Sequence, residues 1–279
     1  MRLRDFDRRW IFLAIGLVAV LFLRIPLGLS FRPSEQTKGF FEAVESVERG
    51  STVFLAVDYG PSSQAEILPM HEAVVERFLR RDVRIVSASV WETGPPLTEN
   101  VFTLAASRLE KEGIQKQYGV DFVNLGFKAG TDVALAKIGS SIREAFPLDY
   151  RGTPVEEIPI MKGVENFDQI SLLCEMSAGD PGARQWLQQV QKRYEVRMIA
   201  GVTAVMAPDL YSFYQSKQIE GFLGGLVGAA EYEYLLERPG AGMGGMNVQS
   251  IAHFLILGFV LLGNVIYVLE RRRGRRGEA

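Results

Sequence analysis

The residues best suited to chemistry lie in five short polar loops, each following an apolar run: DYGPSS (58–63), WETGPP (91–96), GFKAGTD (126–132), SAGDPG (177–182) and APDLYSFYQS (207–216). Within the first and third, Asp58, Tyr59, Ser62, Ser63, Lys128, Thr131 and Asp132 form the candidate ligand crevice. Backbone amides after Gly60 and Gly130 open helices and suit an anionic group, to which Lys128 adds charge. Asp58, Ser62, Ser63 and Lys128 are also the side chains a hydrolase would use there, with Glu92 or Asp180 as acid/base partners for Asp58. The competing reading is helix capping, for which Asp, Ser and Thr are the usual residues.

Other chemistries find less support. A Ser-His-Asp triad needs a histidine base, and the chain has only His71 and His253. His71 follows Ser62 and Ser63 by more than two helical turns and is expected on a helix surface, while His253 falls at the start of an apolar run. The G-x-S-x-G elbow is absent, as are the P-loop ending and a G-x-G-x-x-G after the first strand, so no cofactor is expected. Cys174 is the single cysteine; it forms no intrachain disulfide, no Cys/His spacing suggests a metal, and a buried thiol is expected.

Apolar runs bounded by turn residues predict strands over 52–59, 83–90, 121–127, 170–176 and 196–206. Helical spacing predicts helices over 35–49, 63–81 (with a Ser63/Glu66 capping box), 98–112, 131–146, 180–194 (Asp180 at the N-cap, Pro181 at N1) and 218–236. Strands alternating with helices imply an α/β fold with a mostly parallel sheet. The expected arrangement is doubly wound and flavodoxin-like, with five strands in the order 2-1-3-4-5, which sets the first and third loops on either side of the ligand crevice.

The expected last helix, QIEGFLGGLVGAAEYEYLL, carries Gly221, Gly224, Gly225 and Gly228 at spacings of one, three or four residues, although glycine costs a helix about 1 kcal/mol relative to alanine. A bare stripe permits close backbone approach, either to the sheet or to another chain. Tyr211 and Tyr214 lie just upstream, where they suit an interface rim. Residues 237–250, rich in glycine, are expected to be a flexible connector.

Two further apolar runs, 10–29 and 251–269, are each long enough to cross a bilayer. Basic flanks, net +2 over residues 1–10 and net +3 over 270–279, predict both termini in the cytoplasm with the middle outside. Asn264 is the polar residue of the second run and suits a helix–helix hydrogen bond. Residues 31–250 hold 21 basic and 29 acidic side chains, a net −8 that gives no footprint for nucleic acid.

With DYGPSS near the start of the domain and GGLVGAAEYEYLL near its end, the pattern resembles bacterial two-span membrane proteins of uncharacterised activity with an extracytoplasmic α/β domain. The resemblance implies a bacterial envelope setting and no site residues. The expected function is a non-catalytic, membrane-anchored component that binds a ligand or an envelope protein, with a second copy of itself among the candidate partners. An extracytoplasmic hydrolase and an accessory transporter subunit are the alternatives.

Overall fold

In a computed structural model, residues 8–22 and 32–276 are described. The chain divides into two compact units, one of residues 31–243 and one combining residues 1–30 with 244–279.

The central unit begins with α2 (Glu35–Glu45), after α1 (Arg8–Phe22) of the other unit. Six parallel strands follow: β1 (Thr52–Asp58), β2 (Arg84–Ser89), β3 (Phe122–Phe127), β4 (Leu173–Ser177), β5 (Met198–Val202) and β6 (Gly221–Gly224). Between them run α3 (Gln64–Arg80), α4 (Gly94–Lys111), α5 (Thr131–Ser140), α6 (Ile142–Ala145), α7 (Ala183–Trp186), a π turn (Leu187–Gln191), α8 (Lys192–Tyr194) and α9 (Ala207–Gln215). After β6 come α10 (Gly225–Leu235) and α11 (Ala241–Arg276).

The sheet order is β3-β2-β1-β4-β5-β6, which corrects the expected 2-1-3-4-5. β2 and β3 are laid down on one side of β1, and the chain then crosses back to place β4 on the other. Local sequence is blind to this choice, because a right-handed crossover looks the same whichever neighbour it reaches. One face of the sheet packs against α2, α3, α4 and α10, the other against α5 to α9 and the segment 155–170. All seven residues of β1 are buried, as a strand covered on both faces requires.

The predicted helix over 218–236 is a strand followed by a helix. Gly221 lies in β6 under α2, where an added Cβ would sit 2.0 Å from the Phe40 amide nitrogen. Gly225 turns the chain from β6 into α10 at φ +58°. Gly228 packs on the Leu223 backbone and Gly224 against Ala207, so the close approach made by the stripe is within the chain. Edge strand β6 has only four residues, which limits it as a template for other chains.

Two capping assignments also change. Ser63 makes no capping bond, and Glu66 instead accepts from the Ala204 amide at 2.8 Å. Asp180-Pro181 precedes the helix start, whose N-cap is Gly182.

α11 extends over 36 residues, its first three in the central unit and the rest in the other. Its Ala241–Val268 stretch is, among the described residues, the one helix long and apolar enough to cross a membrane. It already occupies most of the expected connector, leaving a turn of residues 236–240. Asn264 sits on its exposed surface. The 15 residues of α1 cover part of the expected first span; residues 23–31, which include its remainder, lie outside the described residues.

Candidate functional site

In a sheet of this order the switch point falls between β1 and β4, whose ends Asp58 and Ser177 are paired in register. Ligands of open α/β sheets bind outside the carboxyl ends at such a point. The loops that meet here are the first and fourth, not the first and third. β3 is an outer strand two places from β1, so Lys128, Thr131 and Asp132 do not join Asp58. Lys128 Nζ donates to the Ala145 carbonyl at 2.9 Å, while Thr131 and Asp132 are exposed on the first turn of α5.

The switch point is closed over from within. Asp58 is fully buried; its Oδ1 accepts from the Val90 amide at 2.7 Å and from Ser89 Oγ at 3.1 Å. Its Oδ2 accepts from Trp186 Nε1 at 2.6 Å. Burial outweighs these bonds and pushes the Asp58 carboxyl up to about 6. The indole of Trp91 lies across the loop after β4, its Nε1 donating to the Pro181 carbonyl at 2.7 Å.

Beneath this cover sits Glu175, which the sequence reading did not single out. It is fully buried in β4, level with Ala56 of β1 and Ala200 of β5. Oε2 accepts from Ser177 Oγ at 3.0 Å, whereas Oε1 has no hydrogen-bond partner. Burial first, then the charge of Asp58, hold its carboxyl well above the usual range. The available signal was a lone acid inside the run ISLLCEM (170–176), placed on the same face of the sheet as Asp58. Together the two carboxyls form a buried pair able to hold a proton. Among the described residues no group of three metal-ligating side chains gathers around them or elsewhere.

The serines of the first loop do not meet a base. Ser62 is exposed and Ser63 half-buried, whereas His71, expected on the surface, is fully buried. Its Nδ1 lies 2.9 Å from the Tyr59 hydroxyl, and burial pushes the imidazole down to about 3, keeping it neutral. The missed signal was spacing, since His71 falls on the apolar stripe of Ile67, Met70, Val74 and Phe78. Tyr59 is thus engaged inside the core, away from the crevice. Tyr211 and Tyr214 pack edge-on against Phe222, with the Tyr211 hydroxyl accepting from Gln36 Nε2 at 3.1 Å. Cys174 is buried, as expected.

A second polar arrangement lies on α10, whose EYEY segment holds both ends of the central unit. Glu231 Oε2 accepts from the Ser34 amide (3.1 Å), Ser34 Oγ (2.6 Å) and Thr37 Oγ1 (2.7 Å) at the start of α2. Two residues on, the Glu233 carboxylate accepts from the amides of Gly240 (2.9 Å), Gly242 (2.8 Å) and Met243 (2.8 Å), capping the first turn of α11. Between them Tyr232 is buried edge-on against Phe40.

No protein-family model and no curated protein matches the chain. A solved structure of a RipA mutant is similar over 66% of this chain at 11% identity, with a TM-score of 0.26; the chain spans 40% of that protein's length.

Proposed function

We propose that the chain is a membrane-anchored α/β domain, held outside the cytoplasmic membrane of a bacterial envelope, that serves as a non-catalytic binding component for an envelope protein. The observation that carries this reading is the double cap on α10. Glu231 and Glu233 fix the two segments that leave the central unit, one toward the N-terminal apolar run and one into α11. Both segments therefore depart from neighbouring points, as a domain inserted between two spans requires. Basic residues flanking both apolar runs set the termini inside and the domain outside.

Binding is favoured over hydrolysis because Asp58 at the switch point is spent on Ser89, Val90 and Trp186 and Glu175 is sealed beneath it, while Ser62 and His71 serve separate surroundings. Mild-detergent purification from native membranes tests this. A stoichiometric protein partner that stays bound through size exclusion is the expected result. A chain that runs alone and turns over ester or amide substrates would refute it.

A further inference from the structure

We infer that the cleft between α3, α4 and the turn joining α10 to α11 receives the phosphate headgroup of an anionic membrane lipid. The inference rests on the membrane placement proposed above. The cleft encloses about 340 Å³ and runs along α3 from Pro69 to Arg80, toward the amino edge of the sheet, where α3, α4 and α10 all end. Its wall finishes in Pro239, Gly240 and Ala241, and Ala241 is the first residue of α11. Apolar side chains line it beside the carboxylates of Glu72, Glu76 and Glu233 and four arginines, of which Arg77 is held by Glu45 at 2.6 Å. An apolar lining beside guanidinium groups matches a lipid headgroup, which joins a phosphate to a glycerol ester.

The other three, Arg80, Arg108 and Arg238, are unequally occupied. Arg80, only 13% exposed, is held by both Glu112 oxygens at 2.6 and 2.7 Å and by Glu76 at 2.8 and 3.0 Å. Arg108 and Arg238 are 47% and 50% exposed. Arg238 reaches Glu76 and Glu112 only at 3.3 and 3.2 Å, and Arg108 holds Glu72 at 2.8 Å but Glu76 only at 3.7 Å. A guanidinium has five N–H donors in a planar fork that matches phosphate. These two retain donor capacity that the surrounding carboxylates do not fill. Glu72 is the competitor, since it holds Arg108 where a phosphate would.

The test uses the full chain in nonionic detergent, offered phosphatidylglycerol, phosphatidylcholine or inorganic phosphate, with retained lipid counted by native mass spectrometry and stability followed by thermal melting. Phosphatidylglycerol should be retained over phosphatidylcholine by roughly tenfold, the scale of one charge-assisted contact. The double variant Arg108→Gln/Arg238→Gln should lose that preference. Glu72→Gln, which releases Arg108, should increase phosphatidylglycerol retention, and it decides the matter if the double variant does not fold. Equal retention of the two lipids, no gain in Glu72→Gln, or stabilisation by inorganic phosphate with none from phosphatidylglycerol would each overturn the inference. Alkaline extraction of membranes reports separately on anchorage. A chain that stays in the pellet without lipid preference defeats this inference alone, and one released to the supernatant defeats the placement on which it rests.

Discussion

Replacing Asp58 by asparagine should reduce the stability that the protein loses at this site as pH rises from 4 to 8. The folded-state carboxyl titrates at about 6 against an ordinary 3.8, because burial dominates four favourable hydrogen bonds. A carboxyl raised in the folded state binds its proton more tightly there than in the unfolded chain. Its contribution to stability is complete below about pH 4 and is lost as pH rises through about 6. Roughly two pH units at about 1.4 kcal/mol each amount to about 3 kcal/mol lost by neutral pH. Asparagine does not titrate. It also sets an NH₂ against either Trp186 Nε1–H or the Val90 amide, at a cost of about 1–3 kcal/mol that hardly varies with pH.

That constant cost cancels in the comparison. Between pH 4 and pH 8 the variant should gain about 3 kcal/mol relative to the parent chain. Glu175 adds in the same direction, since removing the Asp58 charge relieves its own carboxyl. Denaturant unfolding of the full chain in detergent, read from tryptophan fluorescence at half-unit pH steps, measures the difference; Trp186 lies against Asp58 and reports on the site. Parallel pH profiles for the two proteins would refute the argument that Asp58 is a buried, proton-holding group.

Gly221→Ala places a methyl group 2.0 Å from the Phe40 nitrogen and 2.6 Å from the Gln36 carbonyl oxygen, both backbone atoms that cannot rotate away. A loss of about 3 kcal/mol or more in denaturant midpoint is expected, and a loss under about 0.5 would contradict the packing of α2 on β6. Glu233→Ala strips the cap from three amides, so hydrogen exchange at Gly240, Gly242 and Met243 should accelerate by roughly tenfold, with about 1–2 kcal/mol lost. Unchanged exchange would show that the turn does not depend on this carboxylate. Cys174, buried and with its thiol held well above the ordinary range by that burial, should resist maleimide until denaturant is added. Rapid labelling of the folded protein would place it elsewhere.

Much of the fold was legible because buried parallel strands announce themselves as short apolar runs. The run 52–59 became Thr52–Asp58, and 121–127 became Phe122–Phe127. β6 was hidden because GFLG has too few bulky residues to look like a strand, and its glycines exist to admit α2. Strand order was illegible for a different reason: it depends on which side of β1 each crossover lands. That error moved Lys128 and its neighbours into a crevice they do not share. Asp58 was found because it ends the first strand, whereas Glu175 was missed because its significance lies in neighbours across the sheet. The caps by Glu231 and Glu233 join residues 197 apart in one case and 7 to 10 apart in the other, and only folding brings the first pair together.

The central claim is that the α/β domain stands outside the membrane with both termini inside. The chain's one cysteine is buried, so an introduced thiol reports alone. Ser62→Cys, on the exposed carboxyl edge, and Ala279→Cys, at the end of the arginine-rich tail, are to be exposed to a membrane-impermeant maleimide in intact spheroplasts. The account predicts labelling at position 62 before permeabilisation and at position 279 only after it. Labelling at 279 in intact spheroplasts, or at 62 only after lysis, would contradict it.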